Sequence, residues 1–267
     1  MTGFEHQIVV ITGAGSGIGR AVAQRFARKR AMVVVADVDK ACAVRTVESI
    51  EAFGGDATPY AVDVADAIAM ESFAEDVRTE FGTPRVLVNS AGYTTAGPFL
   101  EHTLEEWERL LGVNVWGLVH GCTHFGRQMV ESGRGGRIIN VTSVAAFTPI
   151  PLSAPYCATR AAAQMLTEGL RLEFAGTGVG VTAVCPAPEP TEDIARTIVR
   201  VAARNPAVVP TPFEARAQYL GSRVSPDGAR LAARIGKRDS TTGLRSRFVR
   251  RAVLSRIDDY LARKLEP

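Results

Sequence analysis

Tyr156 and Arg160 lie four residues apart in a stretch, residues 154–175, whose apolar spacing predicts a helix. Their side chains therefore share one helix face. A phenol titrates near pH ~10 and is a poor base at neutrality, but a neighbouring cation stabilises its ionised form. Ser143 lies 13 residues before Tyr156, directly after a strand-like run. Two hydroxyls and a fixed cation suit acid/base chemistry at an oxygen atom, unless they are ordinary residues of a helix and its preceding loop.

A second group with chemical potential is the glycine-rich segment Thr12–Gly19, which follows one predicted strand and opens a predicted helix. Glycines let the backbone approach a pyrophosphate, and the helix N-terminus offers amides to that anion. Asp37 ends the next strand, where a carboxylate accepts hydrogen bonds from a ribose diol and repels a 2′-phosphate. We therefore expect NAD as cofactor, in preference to NADP. The alternative is a glycine-rich turn needed only for packing.

Strands and helices that must position these residues alternate along the first 185 residues. The predicted strands are 7–12, 32–36, 57–62, 86–89, 137–142 and 179–185, with a short seventh strand at Val208–Val209. The predicted helices are 17–30, 40–53, 67–81, 104–131 and 154–175, followed by one from Thr191 to about Arg204 and two basic stretches, 213–236 and 244–265. Near-continuous apolar strands alternating with helices predict a doubly wound, Rossmann-like α/β fold with a parallel sheet. We expect one domain over 1–267, with a core at 5–210 and a helical, basic C-terminal extension at 211–267.

Over residues 5–186 the sequence resembles the short-chain dehydrogenase/reductase family. The glycine pattern T-G-x-x-x-G-I-G is that family's variant, and Asp63-Val64, Asn89-Ser90-Ala91-Gly92, Asn114, Ser143 and Tyr156 follow in family order. The resemblance implies that Tyr156 is the general acid/base, that Ser143 orients the substrate oxygen, and that Asn114 positions a water for proton relay. It implies the following cofactor-binding residues: Gly13, Ser16, Gly17, Ile18, Gly19, Asp37, Asp63, Val64, Asn89, Ala91, Gly92, Tyr156, Arg160, Pro186 and Thr191.

This chain departs from the family pattern at two places. Arg160 stands where the family has lysine; it keeps the positive charge but does not deprotonate, so it cannot relay protons as lysine does. We therefore expect an altered or a slow enzyme. The family usually has Pro-Gly and then a mobile helical lid, whereas here Ala187 follows Pro186 and a helix pattern starts at Thr191. Either the lid is missing or short, or Thr191 is only a helix N-cap, which we favour.

The substrate loops are expected at 93–99 and 144–152. The second of these carries no charge, and neither loop offers an arginine or lysine to a substrate carboxylate. This favours a small apolar secondary alcohol or ketone, although the same residues could simply cover the sheet end. The long helices 104–131 and 154–175 resemble those that form the family's interfaces, which implies a homodimer or homotetramer.

Charge is distributed unevenly, because residues 1–195 hold 15 Lys and Arg against 22 Asp and Glu, while 196–267 hold 16 against 6. The stretch 244–265 has the pattern of an amphipathic basic helix. It could bind a membrane surface, or it could dock on the protein with its arginines in water. We expect no nucleic-acid partner, because no recognition fold or aromatic stacking set accompanies the charge.

Other classes are excluded by composition and cysteine spacing. Hydrophobic residues make up 46% of the chain and no apolar run approaches the length of a membrane span. The first strand begins almost at once, so we expect no targeting peptide. Four separated cysteines predict reduced thiols in a cytoplasmic protein, and the four histidines share no metal-ligand spacing, so no metal is expected.

These observations predict an oxidoreductase that transfers a hydride between a nicotinamide cofactor and a secondary alcohol or ketone. The alternative, which Arg160 keeps open, is a catalytically weak or inactive nucleotide-binding protein with a scaffold or regulatory role.

Overall fold

The computed structural model describes residues 3–224 of this chain. The predictions for the remainder of the basic stretch 213–236 and for the amphipathic stretch 244–265 lie outside the described residues.

Seven parallel strands form one sheet in the order β3-β2-β1-β4-β5-β6-β7. They are β1 (Ile8–Thr12), β2 (Met32–Asp37), β3 (Asp56–Ala61), β4 (Val86–Asn89), β5 (Gly136–Val141), β6 (Val179–Pro186) and β7 (Val208–Thr211). The central strands are rich in valine and isoleucine and are buried on both faces, as parallel strands covered by helices require. The doubly wound α/β fold and its seventh strand are confirmed.

Residues 3–224 contain eight α-helices, six of which cover the two faces of the sheet. The eight helices are α1 (Gly17–Ala27), α2 (Lys40–Glu51), α3 (Ala67–Glu80), α4 (Leu104–Leu111), α5 (Gly117–Glu131), α6 (Ala154–Glu173), α7 (Thr191–Arg204) and α8 (Phe213–Val224). Apolar residues of α1, α2 and α7 pack in the core on one face, and those of α3, α5 and α6 pack in the core on the other. Each of these six helices therefore buries one apolar stripe against the sheet.

The predicted continuous helix 104–131 is wrong in one respect, because a π-helical turn, Gly112–Trp116, separates α4 from α5. The extra residue in this turn places Asn114 inward, where it is 1% exposed and its amide makes hydrogen bonds outside the helix. The same turn leaves Leu111 and Trp116 exposed. Such turns are frequent at functional sites, because they re-aim one side chain without ending the helix.

The connection from β6 to α7 is only four residues long, 187–190. No lid helix lies between these two elements. The expectation that Thr191 is the N-cap is wrong by one residue: Pro190 is the cap, and Thr191 is the first helical residue. The Pro190 backbone is extended (φ −57°, ψ 135°), and its carbonyl accepts the first bond of the helix from the Asp193 amide at 3.0 Å.

Within residues 3–224, no helix is long and apolar enough to cross a membrane. The same residues contain no group of three or more His, Cys, Asp and Glu side chains placed to hold a metal ion. All four cysteines are unpaired.

Candidate active site

A cavity of about 480 Å³ lies at the carboxyl ends of the strands, at the topological switch point where β1 and β4 lead to helices on opposite faces. Three groups of residues line the cavity. They are the glycine-rich turn, the acidic residues that end or follow β2 and β3, and the hydroxyl-bearing and cationic residues that follow β5. The residues expected from sequence that line the cavity are Gly13, Ser16, Gly17, Ile18, Gly19, Asp37, Asp63, Val64, Ala91, Gly92, Ser143, Tyr156, Arg160 and Pro186.

The turn between β1 and α1 brings the backbone close to the neighbouring strand ends. Gly13 has φ +64°, and a Cβ there would lie 2.6 Å from the Ala91 Cα. The Thr12 hydroxyl accepts hydrogen bonds from the amides of Ser90 and Ala91, which fixes the end of β4 beside the turn. Ser16 precedes α1 without a side-chain cap, so no side chain of the turn occupies the anion position at the helix N-terminus.

Asp37 closes the cavity at the end of β2. Its carboxylate accepts hydrogen bonds from the Gly15 amide at 2.8 Å and from the Asp39 amide at 3.0 Å. A Cβ at Gly15 would lie 2.7 Å from the same carboxylate. Asp63 lines the cavity after β3 and accepts a bond from the Ala65 amide at 2.9 Å. The side of the cavity formed by β2 and β3 therefore presents two oriented carboxylates.

Ser143, Tyr156 and Arg160 are brought together on the β5–α6 side of the cavity. Ser143 is buried, and its hydroxyl oxygen accepts a hydrogen bond from the Ala145 amide, so its hydrogen is available to a ligand. Tyr156 lies in the first turn of α6, and the Arg160 guanidinium carbon is 5.1 Å from the centroid of its ring. The spacing of four residues thus places the cation beside the phenol.

Arg160 is only 7% exposed, which is rare for a charged side chain. Its Nη1 donates to the Val141 carbonyl at 3.2 Å, and its Nη2 lies against Gly92, where a Cβ would collide with it. No carboxylate within residues 3–224 lies within 4.0 Å of its guanidinium. The cavity therefore has a buried positive charge that no acidic side chain of the described chain balances.

Asn114 does not line the cavity but connects two of its walls. Its amide group exchanges hydrogen bonds with the backbone of Tyr93, at 2.8 Å to the amide nitrogen and 2.9 Å to the carbonyl oxygen. It also donates to the Thr159 hydroxyl at 3.0 Å. Asn114 thus fixes the chain after β4 relative to the helix that carries Tyr156.

Two other expected residues lie outside the cavity lining. Asn89 is buried and donates to the Asn140 side chain at 2.8 Å, so it joins the ends of β4 and β5. Thr191 opens α7 and is not among the lining residues. Both residues were expected to bind the cofactor because of the family resemblance. The spacing of the motifs in the sequence does not show whether either side chain reaches the cavity.

Sequence reasoning missed Ser90 and Arg109, which both line the cavity. Ser90 stands within the motif that ends β4, and its buried hydroxyl has no hydrogen-bond partner within the described residues. Arg109 comes from α4, 16 residues after Tyr93, and its guanidinium lies over the Tyr93 ring. Only the fold brings those two segments together, so no local signal in the sequence identifies Arg109.

Two buried cysteines, Cys122 and Cys185, lie near the site. Burial raises the pKa of the Cys122 thiol, beside Asn89, to about 12. Burial likewise raises the pKa of the Cys185 thiol, at the end of β6, to about 12. Both thiols stay protonated at neutral pH and take no part as nucleophiles.

A nicotinamide dinucleotide fits the residues of this cavity. The turn at Gly13 leaves room for a ligand backbone and presents a helix N-terminus to a pyrophosphate. Asp37 offers a carboxylate for ribose hydroxyls. Two buried polar atoms, Ser90 Oγ and Arg160 Nε, make no hydrogen bond within the described residues and belong to lining residues. Ser90 and Arg160 therefore keep unused hydrogen-bonding capacity at the wall of the cavity.

Residues 7–197 match the family model described as short chain dehydrogenase. The chain belongs to the short-chain dehydrogenase family. Among its curated relatives is the probable oxidoreductase EphD of Mycobacterium tuberculosis, which is 46% identical over 194 residues. That match covers 73% of this chain but 33% of the relative, so the match spans about a third of EphD's length.

Two solved structures of the family resemble this fold closely. A short-chain dehydrogenase/reductase from Burkholderia phymatum in complex with NAD has a TM-score of 0.78 and 26% identity, over 84% of this chain and 96% of that one. A metagenomic short-chain oxidoreductase in complex with NADP has a TM-score of 0.73 and 30% identity, over 78% and 96% of the two chains.

Proposed function

We propose that this chain is a nicotinamide-dependent dehydrogenase that interconverts a secondary alcohol and a ketone. The observation that carries the proposal is the position of Tyr156 in the cavity, with the Arg160 guanidinium 5.1 Å from its ring and Ser143 lining the same wall. The glycine-rich turn that lines the opposite side supplies the binding site for the cofactor.

NAD is the proposed cofactor. Asp37 ends β2 with both carboxylate oxygens oriented by backbone amides, and a fixed negative charge there disfavours a 2′-phosphate. The two similar structures hold NAD in one case and NADP in the other, so they support a nicotinamide dinucleotide without choosing between these two.

The proposed reaction transfers one hydride and one proton. When bound, the nicotinamide ring supplies the hydride acceptor or donor at the carbon that carries the oxygen. Ser143 donates a hydrogen bond to the substrate oxygen and orients it. Tyr156 takes the hydroxyl proton during oxidation and returns it during reduction. Arg160 places a positive charge beside the Tyr156 ring, and Asn114 holds the Tyr93 backbone against Thr159 so that the two walls keep their distance.

The substitution of arginine for lysine sets the expected speed of this reaction. A guanidinium stays protonated, so the proton on Tyr156 must reach solvent by another route. Loss of a proton-transfer group typically costs about 10²–10⁴-fold in rate. We therefore propose a working enzyme slower than its lysine variant; the rival is a nucleotide-binding protein with little turnover.

The reacting end of the substrate is proposed to be apolar. The segment 144–152 after Ser143 carries no charged side chain. Because the β6–α7 connection has only four residues, no lid segment covers this side of the site between those two elements. A small substrate held by the apolar segment and Ser143 fits this arrangement better than a large one that needs closure.

Cofactor titration and turnover test the proposal. NADH and NADPH are titrated by fluorescence, and a panel of small secondary alcohols and ketones is assayed with wild type and Arg160→Lys. We expect tighter binding of NADH than NADPH, measurable turnover in wild type, and faster turnover in the lysine variant. Binding of NADH with no wild-type turnover would favour the rival function, and no binding of either cofactor would contradict both.

We also propose a homo-oligomer in solution. Met165 and Leu172 on α6 are 62% and 77% exposed, although both are large apolar side chains seven residues apart on one helix. An apolar groove between α5 and α6, which includes Leu166 and Leu170, lies beside them. A continuous apolar surface of this kind favours association with a second copy.

A further inference from the structure

We propose that Arg109 binds a carboxylate on the substrate, so that the enzyme acts on secondary hydroxy acids and the corresponding keto acids. This inference rests on the proposed function and narrows its substrate class. The uncharged segment 144–152 led us to expect an apolar substrate, and the inference adds a carboxylate to that substrate. The cation that would bind the carboxylate comes from α4 and not from either substrate loop.

Arg109 is part of the cavity wall. It lies in the last turn of α4, and its guanidinium carbon is 4.2 Å from the centroid of the Tyr93 ring. Both residues line the cavity, together with Thr94 and Val113. Arg109 is exposed, so its N–H donors are accessible to a ligand, while the contact with the Tyr93 ring holds the guanidinium at the cavity wall.

No acidic side chain of the described chain neutralises Arg109. Among residues 3–224, no carboxylate lies within 4.0 Å of its nitrogens. Glu106, three residues before Arg109 on α4, is bonded to His102, Thr103 and Thr95. An arginine on a cavity wall that no acid balances is suited to bind an anionic ligand.

Tyr93, on whose ring Arg109 lies, is linked by hydrogen bonds to the helix that carries Tyr156. Tyr93 follows β4, the strand next to β5, and Asn114 bonds its backbone and also Thr159 on the helix that carries Tyr156. Asp37 ends β2, which lies two strands from β4 in the sheet, and its carboxylate repels an anion at that end of the cavity. A substrate with its hydroxyl at Ser143 and its carboxylate toward Arg109 is therefore favoured by the distribution of charge.

The size of the cavity favours a small acid over a bulky phosphate ester. Its volume of about 480 Å³ is shared with the proposed dinucleotide. A carboxylate matches the planar guanidinium with two parallel hydrogen bonds and adds few atoms.

The test compares 3-hydroxy acids of four to eight carbons with their methyl esters, which differ mainly in charge. The ratio of kcat/KM for acid and ester is measured in wild type, Arg109→Gln and Arg109→Lys. We expect wild type to prefer the acid, Arg109→Gln to lower the ratio at least tenfold with the ester little changed, and Arg109→Lys to retain part of the preference. Arg196→Gln, an exposed arginine on α7, is the matched control and should leave the ratio unchanged.

Calorimetry of the same acids binding to the NADH complex gives a readout that needs no turnover. The proposal requires that Arg109→Gln weakens this binding and leaves the affinity for NADH within about twofold. The proposal is overturned if the ratio of kcat/KM for acid and ester is the same in wild type and Arg109→Gln, or if no acid binds. It is also overturned if Arg109→Gln weakens NADH binding tenfold, because Arg109 would then be assigned to a cofactor phosphate. If acids bind through Arg109 but nothing is turned over, the carboxylate site at Arg109 stands and the proposed function fails.

Discussion

Arg160 carries a full positive charge at a position that is 7% exposed and has no acidic partner within residues 3–224. Burying an uncompensated charge costs stability, so proteins keep such groups where function needs them. Here the guanidinium is fitted between the Val141 carbonyl and Gly92, a space that depends on the absence of a side chain at residue 92. The replacement of lysine by the larger arginine is thus accommodated by the fold around it.

The backbone at Gly13 yields a prediction at the scale of one residue. Gly13→Ala places a Cβ at φ +64° and 2.6 Å from the Ala91 Cα, so it should lower the free energy of unfolding by at least about 1–2 kcal/mol and weaken NADH binding. Urea unfolding and fluorescence titration measure the two effects.

Gly169→Ala is the matched control for this substitution. Gly169 lies inside α6, and a Cβ there would meet nothing within 4 Å. Alanine should raise the free energy of unfolding by up to about 1 kcal/mol and leave NADH binding unchanged. A Gly13→Ala protein as stable as Gly169→Ala, with wild-type affinity for NADH, would contradict the assigned role of the turn.

At the scale of elements, the sequence was most informative where structure is local. The glycine turn, the acid at the end of β2 and the Tyr156–Arg160 spacing each lie within one strand–turn–helix unit, and the structure brings them into one cavity. The π turn at Gly112–Trp116 was not predictable, because it depends on bonds from Asn114 to segments 21 and 45 residues away. Arg109 was missed for the same reason.

The elements around the short β6–α7 connection are joined by contacts that the periodicity of the sequence does not predict. Phe147, in the segment after Ser143, packs edge-on against Tyr219 of α8, with ring centroids 5.3 Å apart. Arg223 of α8 bonds both carboxylate oxygens of Glu168 on α6, at 2.6 and 2.9 Å. The first part of the basic C-terminal stretch is therefore docked beside the α6 side of the site.

At the scale of the whole molecule, the apolar face of α6 predicts the assembly state. The double variant Met165→Glu/Leu172→Glu puts charges on the exposed apolar surface and should convert the proposed homo-oligomer to a monomer, as measured by light scattering after gel filtration. A partner chain cannot bury two unpaired carboxylates without losing most of the interface energy.

Ile68→Glu is the control for this experiment. Ile68 is 77% exposed in the first turn of α3, away from the groove between α5 and α6, and a glutamate is favourable there. It should leave the mass unchanged. A wild-type protein that is monomeric at all concentrations, or a double variant with the wild-type mass, would contradict the proposed interface.

We propose that Tyr156 transfers the proton during nicotinamide-dependent oxidation of an alcohol. The most direct measurement is the single-turnover formation of NADH, followed by absorbance, with wild type and Tyr156→Phe at saturating NAD and the best alcohol of the panel. Phenylalanine keeps the ring beside Arg160 and removes only the hydroxyl, so the affinity for NADH should stay within about twofold while the rate falls by about 10²–10⁴-fold. An unchanged rate in Tyr156→Phe would contradict the account.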